Sequence, residues 1–257
     1  NLYSTEMSSA LCSIDRVSAS ANMNNRLSEA IVEAYKSTNG APISFELMLK
    51  CYQSRMKDAN NDDSISSVLK QLVNAHIFES EDKVSLIDDS YIIKMDGYPK
   101  DGPIAKAIVY FLMSKLNNIY ELLDKQAVND EVVQIRHFSI IDEAHYMLDF
   151  DNRPLRNLIA VGRNKGLSII LATQNMSSFK SKGFDFYANA QYPLIMKQQT
   201  IDDKVIKDLF GVSGQELQEI RTAIAGLQKG ELIIKDQMAF ALGMGNKYKK
   251  INVTHLI

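Results

Sequence analysis

Two cysteines, Cys12 and Cys51, are all the thiols in 257 residues. That is too few for a disulfide framework or a cysteine zinc site, and the four histidines show no ligand spacing. No apolar run approaches the roughly 18 residues that a membrane-spanning helix needs, and the start of the chain carries no secretory signal pattern. Repeats and low-complexity segments are lacking. Neither sign of charge dominates: the formal net charge is −2. Bulk charge therefore gives no support for nucleic-acid binding, which would have to rest on a local basic surface. A reducing, cytoplasmic setting is the expectation. The most consequential absence is local. Nowhere does the chain contain G-x-x-x-x-G-K-[ST], the loop whose backbone amides cradle phosphates. The nearest imitation, Gly97 to Gly102, runs into Pro103 and Ile104 with no lysine.

What is present is an ordinary globular composition, 46% hydrophobic and 23% charged, and a length that suits one large domain or one domain with an insertion. Residues 1–20 are Ser-rich and weakly patterned. Helices are expected over Asn25–Lys36, which Asn39-Gly40 stops, over Ser44–Lys57, and from Ser64 as cap, with Ile65, Val68, Leu69, Leu72 and Val73 on one stripe. The polar run from Asp58 to Asp63 reads as a loop. Short extended runs follow at Val84–Ile87 and Tyr91–Met95. Pro103 opens a long apolar helix to about Leu123, and residues 124–134 read as a polar connection. Then come a strand Phe138–Ile141, a helix around Leu155–Arg163, a strand Leu167–Ala172, a strand Tyr192–Lys197, and helices near Asp202–Phe210 and Gly214–Ala225. A closing hairpin is expected from Glu231–Ile234 and Met238–Leu242. Strands alternating with helices predict an α/β fold, a mostly parallel sheet with helices on both faces.

The stretch Phe138-Ser139-Ile140-Ile141-Asp142-Glu143-Ala144-His145 is a short apolar strand ending in two carboxylates, as a Walker B element does. Phosphoryl transfer from ATP needs a bridging metal, a group that orients the attacking water, and positive charge on the transferring phosphate. Asp142 can hold Mg²⁺ through water, and Glu143 can accept a proton from the attacking water. Two surface carboxylates ending a strand are the plain alternative. Gln174 ends the next strand; where that strand neighbours Walker B, it lands beside Asp142 and Glu143, because ligands in doubly wound sheets lie at the carboxyl ends of strands. By itself it reads as a polar cap. Arg163, in Gly162-Arg163-Asn164-Lys165-Gly166, reads alone as a charge favoured at a helix C-terminus.

Taken together, Asp142-Glu143-Ala144-His145, Gly162-Arg163-x-Lys165-Gly166 and Ala172-Thr173-Gln174 resemble, in order and spacing, the HerA/FtsK-type ring ATPases, a group that includes DNA pumps, conjugation and secretion ATPases, and anti-phage translocases. The resemblance covers roughly residues 80–245. It implies a RecA-like core that uses ATP and Mg²⁺, with Glu143 catalytic, Gln174 a γ-phosphate sensor, Asp142 and Thr173 on the nucleotide side, and Arg163 reaching a neighbouring subunit's site. It also implies a homo-oligomeric ring, a hexamer, translocating along double-stranded DNA with nuclease or defence partners, as in phosphorothioation-linked restriction. The alternatives are a conjugation or secretion coupling ATPase and a non-catalytic scaffold. The organisation this suggests is an incomplete helical part of the core at 1–39, a helical insertion at 40–80, and the core proper at 81–257. The phosphate loop is expected upstream of Asn1, so these residues alone are expected to be inactive. Asp142-Glu143-Ala144-His145 also spells a superfamily-two helicase motif, but the 83 residues after Gln174 hold no arginine-rich final motif. Four weaker candidates read as structural or solvated groups: His145; Lys180, Lys182 and Lys197; the basic cluster Lys247-Tyr248-Lys249-Lys250; and the acidic Asp149-Phe150-Asp151-Asn152.

Overall fold

The computed structural model describes residues 2–14, 19–39, 41–57, 62–78, 85–129, 132–181, 184–242 and 247–253. In chain order the elements are α1 (Leu2–Ile14), α2 (Ala21–Ser37), α3 (Phe45–Gln53), α4 (Ser64–Asn74), α5 (Pro103–Leu122), β1 (Val128–Asn129), β2 (Val132–Val133), β3 (His137–Ile141), α6 (His145–Leu148), α7 (Arg153–Val161) and β4 (Leu167–Leu171). They continue with β5 (Lys180–Ser181), β6 (Phe184–Asp185), α8 (Phe186–Asn189), β7 (Leu194–Met196), α9 (Asp203–Phe210), α10 (Gly214–Ala225), β8 (Glu231–Lys235), α11 (Gln237–Leu242) and β9 (Tyr248–Asn252). The chain forms two units, Asn1–Ile140 with Tyr146–Ile170, and Ile141–His145 with Leu171–Ile257.

In the first unit, α1 to α4 pack in succession, and α1 and α4 also meet α5. α2 shows why: Leu27, Ala30, Ile31 and Ala34 recur at helical spacing and are fully buried. The Ser-rich start, weakly patterned in sequence, forms a helix, α1. Two of its serines return their hydroxyls to the preceding turn, Ser8 Oγ donating to Thr5 O at 3.0 Å and Ser13 Oγ to Ala10 O at 2.8 Å. Met7, Ala10, Leu11 and Ile14 make the buried stripe. The cap of α4 is Asp63 and not Ser64: Asp63 Oδ1 accepts from Ser66 N at 2.9 Å while Ser66 Oγ accepts from Asp63 N at 2.9 Å. Asp63 also ties three helices together. Tyr52 Oη of α3 donates to its Oδ2 at 2.6 Å, and Arg26 Nη1 of α2 lies 3.4 Å from the same oxygen.

The extended runs expected around residues 84–95 are not strands among the described residues; Val84 lies outside them. Ser85 Oγ donates to Asp88 Oδ2 at 2.5 Å and fixes a turn there. Leu86 and Ile87 still pack on the cluster of Leu116, Tyr120, Leu158 and Leu167. The polar connection holds a small antiparallel hairpin, β1 with β2. Pro103 opens α5 at its first turn, as expected.

β3 and β4 are hydrogen-bonded neighbours and run parallel: Arg136 N donates to Gly166 O at 2.7 Å at the strands' start, and Ala172 N to Ile141 O at 2.9 Å at their end. The other strand pairs among the described residues are antiparallel. In the second unit β7, β8 and β9 form one sheet in that order. Ile195 and Ile233 stand opposite each other and turn inward onto Val205, Ile206, Phe210, Ile220 and Ile224 of α9 and α10. The partner of β8 is β9, at Tyr248–Asn252, and not Met238–Leu242. The latter segment is helical because Met, Ala and Leu favour helix and Asp236 Oδ1 caps it by accepting from Met238 N at 3.1 Å. The basic cluster is thereby used structurally. Lys247 pairs with Glu216 at 3.2 Å, Lys249 with Asp236 at 2.8 Å and Lys250 with Glu231 at 2.7 Å.

Candidate functional site

β3 delivers Asp142 and Glu143 just past its last residue, and β4 does the same for Thr173 and Gln174. The ladder continues beyond both strands, since Ala144 N donates to Ala172 O at 2.8 Å. That bond sets the two strand ends side by side in the second unit. Gln174 Nε2 donates to Glu143 Oε1 at 2.6 Å. On the other side of the carboxylate, His145 Nδ1 lies 3.4 Å from Glu143 Oε2 and 3.4 Å from Thr173 Oγ1.

Glu143 has φ +51°, in the left-handed region where a side chain with a Cβ is disfavoured. Asp142 holds that turn: its Oδ1 accepts from Glu143 N at 2.9 Å. A strained backbone at a carboxylate with two polar neighbours is the kind of outlier that clusters at working sites. Asp142 is exposed. Among the described residues no group of three or more His, Cys, Asp or Glu side chains is arranged to hold a metal. Were Mg²⁺ bound with a nucleotide, the exposed Asp142 carboxylate could reach it through water.

Arg163 belongs to the first unit, on the 3₁₀ turn Gly162–Lys165. Both glycines of this turn have packing reasons. A Cβ on Gly162 would lie 2.8 Å from Leu167 Cδ2; one on Gly166, at φ +82°, would lie 2.7 Å from Gln134 O. Lys165 closes the end of α5, its Nζ donating to Tyr120 O at 2.5 Å and Glu121 O at 3.0 Å. Arg163 is exposed, with no hydrogen bond or ion pair of its side chain among the described residues.

The weaker candidates divide. His145 joins the Glu143 group. Lys197 is exposed, the side chain of Lys180 is not described, and Lys182 lies outside the described residues. The acidic Asp149–Asn152 segment is an ion-paired and capping loop: Asp151 meets Arg153 and Arg156 at 3.3 Å each, and Asn152 Oδ1 caps α7. No helix among the described residues is long and apolar enough to cross a membrane. The sequence reading missed the left-handed Glu143 and the Asp142 cap; the adjacency of the two acids was the signal, but their backbone geometry was not.

No family model matches the sequence, and no curated protein does. Six chains of solved structures match its fold. One of them is VirB4 of Thermoanaerobacter pseudethanolicus, at a TM-score of 0.62 over 99% of this chain and 69% of that one, with 16% identity. Identity that low carries the fold alone. The chain has a RecA-like α/β fold.

Proposed function

We propose that this chain carries the hydrolytic half of an ATP-driven ring motor of the HerA/FtsK type, on the conjugation or secretion side of that group, where the cargo is protein or single-stranded nucleic acid. The observation that carries the reading is the Gln174–Glu143 hydrogen bond of 2.6 Å at the ends of two adjacent parallel strands. The likeness to VirB4 weights it toward secretion and conjugation, and away from the duplex-DNA translocase with nuclease partners.

In this reading Glu143 takes a proton from the attacking water and Gln174 contacts the γ-phosphate. Asp142 orients Mg²⁺ through water, and the ion, when bound, neutralises charge growing on the β- and γ-phosphate oxygens. Thr173 sits next to Gln174 on the nucleotide side and holds His145 in place. Arg163 acts on the site of a neighbouring subunit.

The test is ATP turnover by the full-length protein, with Glu143→Gln as control. Turnover should fall by about 10²–10⁴-fold in the variant, the range for loss of a general base, while ATP binding persists. Unchanged turnover removes Glu143 from the mechanism. Strong stimulation of the wild type by duplex DNA, fading with salt, would instead favour the duplex translocase.

A further inference from the structure

A general base has to offer an oxygen to the water it activates. Here neither oxygen of Glu143 is turned freely to it. Oε1 accepts from the Gln174 amide at 2.6 Å, which fixes the rotation of the carboxylate. Oε2 is buried and accepts no hydrogen bond among the described residues, with His145 Nδ1 3.4 Å away. Gln174 itself is exposed, so its amide is open to an incoming ligand.

We propose that Gln174 is a latch on Glu143: its amide holds the carboxylate turned away from the water site, and a γ-phosphate releases it by taking that amide. This rests on the ATPase reading above. The exchange is chemically simple. Carboxylate and phosphate are both pure acceptors, and the donor they compete for is the one NH₂ group of Gln174. Hydrogen bonds to either anion are charge-assisted, so the swap is close to even in strength. Repulsion between the two anions discourages sharing the amide at close range. The backbone of Glu143 cannot absorb the motion. Its left-handed turn is pinned by the Asp142 cap at 2.9 Å and by the bond from Ala144 N to Ala172 O at 2.8 Å. The release is therefore a side-chain rotation about a fixed Cα, which brings one oxygen out to water only when a triphosphate is seated. Gln174 is then a positioning residue as well as a phosphate contact, and a diphosphate leaves the base locked.

Two measurements on the full-length protein test this. The first is carbodiimide-driven amine coupling at Glu143, read by peptide mass spectrometry without nucleotide. Gln174→Ala and the shorter amide Gln174→Asn should both speed coupling roughly tenfold to a hundredfold, the population change from losing one hydrogen bond to a charged group. Circular dichroism confirms that both variants fold. Equal coupling in wild type and variants overturns the latch while leaving Glu143 as base. The second is a pair of structures, with Mg·ADP and with a non-hydrolysable Mg·ATP analogue. The Gln174–Glu143 bond should persist with the diphosphate and open beyond about 4 Å with the analogue, outside hydrogen-bond range. A bond that survives in both overturns the release. Failure to bind either nucleotide defeats the ATPase reading itself, a result distinct from both of those.

Discussion

Lys106 Nζ of α5 lies 2.9 Å from Asp149 Oδ2, with the lysine side chain 2% exposed and the aspartate 45% exposed. The buried member of this pair is the long cation, so the pair's strength is asymmetric. Removing the exposed acid strands a charge in the interior, whereas removing both charges leaves no uncompensated ion. Asp149→Ala should cost about 3 kcal/mol. Lys106→Met combined with Asp149→Ala should recover most of that. Urea unfolding of the single and double variants checks it, and equal losses in the two would refute the asymmetry.

Gly166 is constrained twice, by φ +82° and by Gln134 O at 2.7 Å from where a Cβ would stand. Gly166→Ala should therefore lower stability by about 2–3 kcal/mol. Gly162→Ala meets one side chain, Leu167, from Cδ2 at 2.8 Å to Cβ at 3.2 Å, at an ordinary φ of −64°, and should cost about 1 kcal/mol. Thermal unfolding of the two variants should show that order; the reverse order would mean that the turn tolerates a side chain at Gly166.

Arg163 is exposed and keeps no partner among the described residues, as a residue serving a neighbouring subunit would. If it acts in trans, Arg163→Ala and Glu143→Gln proteins, each inactive alone, should regain turnover when mixed, because some interfaces then pair an intact arginine with an intact base. Loss of a finger of this kind costs about 10³–10⁵-fold in other nucleotide hydrolases, so recovery stands out against a low background. No recovery at any mixing ratio argues for action within one chain.

Cys12 is buried, and desolvation, with a smaller contribution from the charge of Asp63, pushes its thiol from 9.0 up to about 12. The folded state keeps the proton that the unfolded chain loses. The stabilisation is thus complete below pH 9.0 and is lost as pH rises toward about 12. Between those limits the wild type should lose stability faster than Cys12→Ala, by up to about 1.4 kcal/mol per pH unit. Iodoacetamide at pH 8.5 should label Cys12 only after denaturation, and ready labelling of the native protein would contradict the burial.

The long elements were legible because their signals are redundant. α2 repeats its apolar stripe, Leu27, Ala30, Ile31 and Ala34, over about two turns, and α5 carries Pro103 at its start. Asp142, Glu143 and Gln174 were legible as strand-end residues, and the structure sets Glu143 against Gln174. What escaped was chemistry between residues far apart or in short segments. The serines of α1 disguise a helix because Ser8 and Ser13 satisfy their hydroxyls on their own preceding turn and Ser9 reaches Asp151. Gln237–Leu242 alternates like a strand, yet Asp236 caps it as a helix, and β8 finds its partner in the basic Tyr248–Asn252 segment instead. A lysine-rich strand looks like a binding surface until its acids, Glu216, Glu231 and Asp236, arrive from elsewhere in the chain.

Lys165 joins the turn that carries Arg163 to the last carbonyls of α5. Helix and turn are thus one piece. α5 runs 20 residues from Pro103 to Leu122, about 30 Å of stiff rod at helical rise. α1 and α4 pack against it, Tyr3 Oη of α1 lying 3.0 Å from Ser114 Oγ, and its last carbonyls are leashed to the turn of Arg163. A shift of the helix would therefore pass to that turn with no loop between them to absorb it.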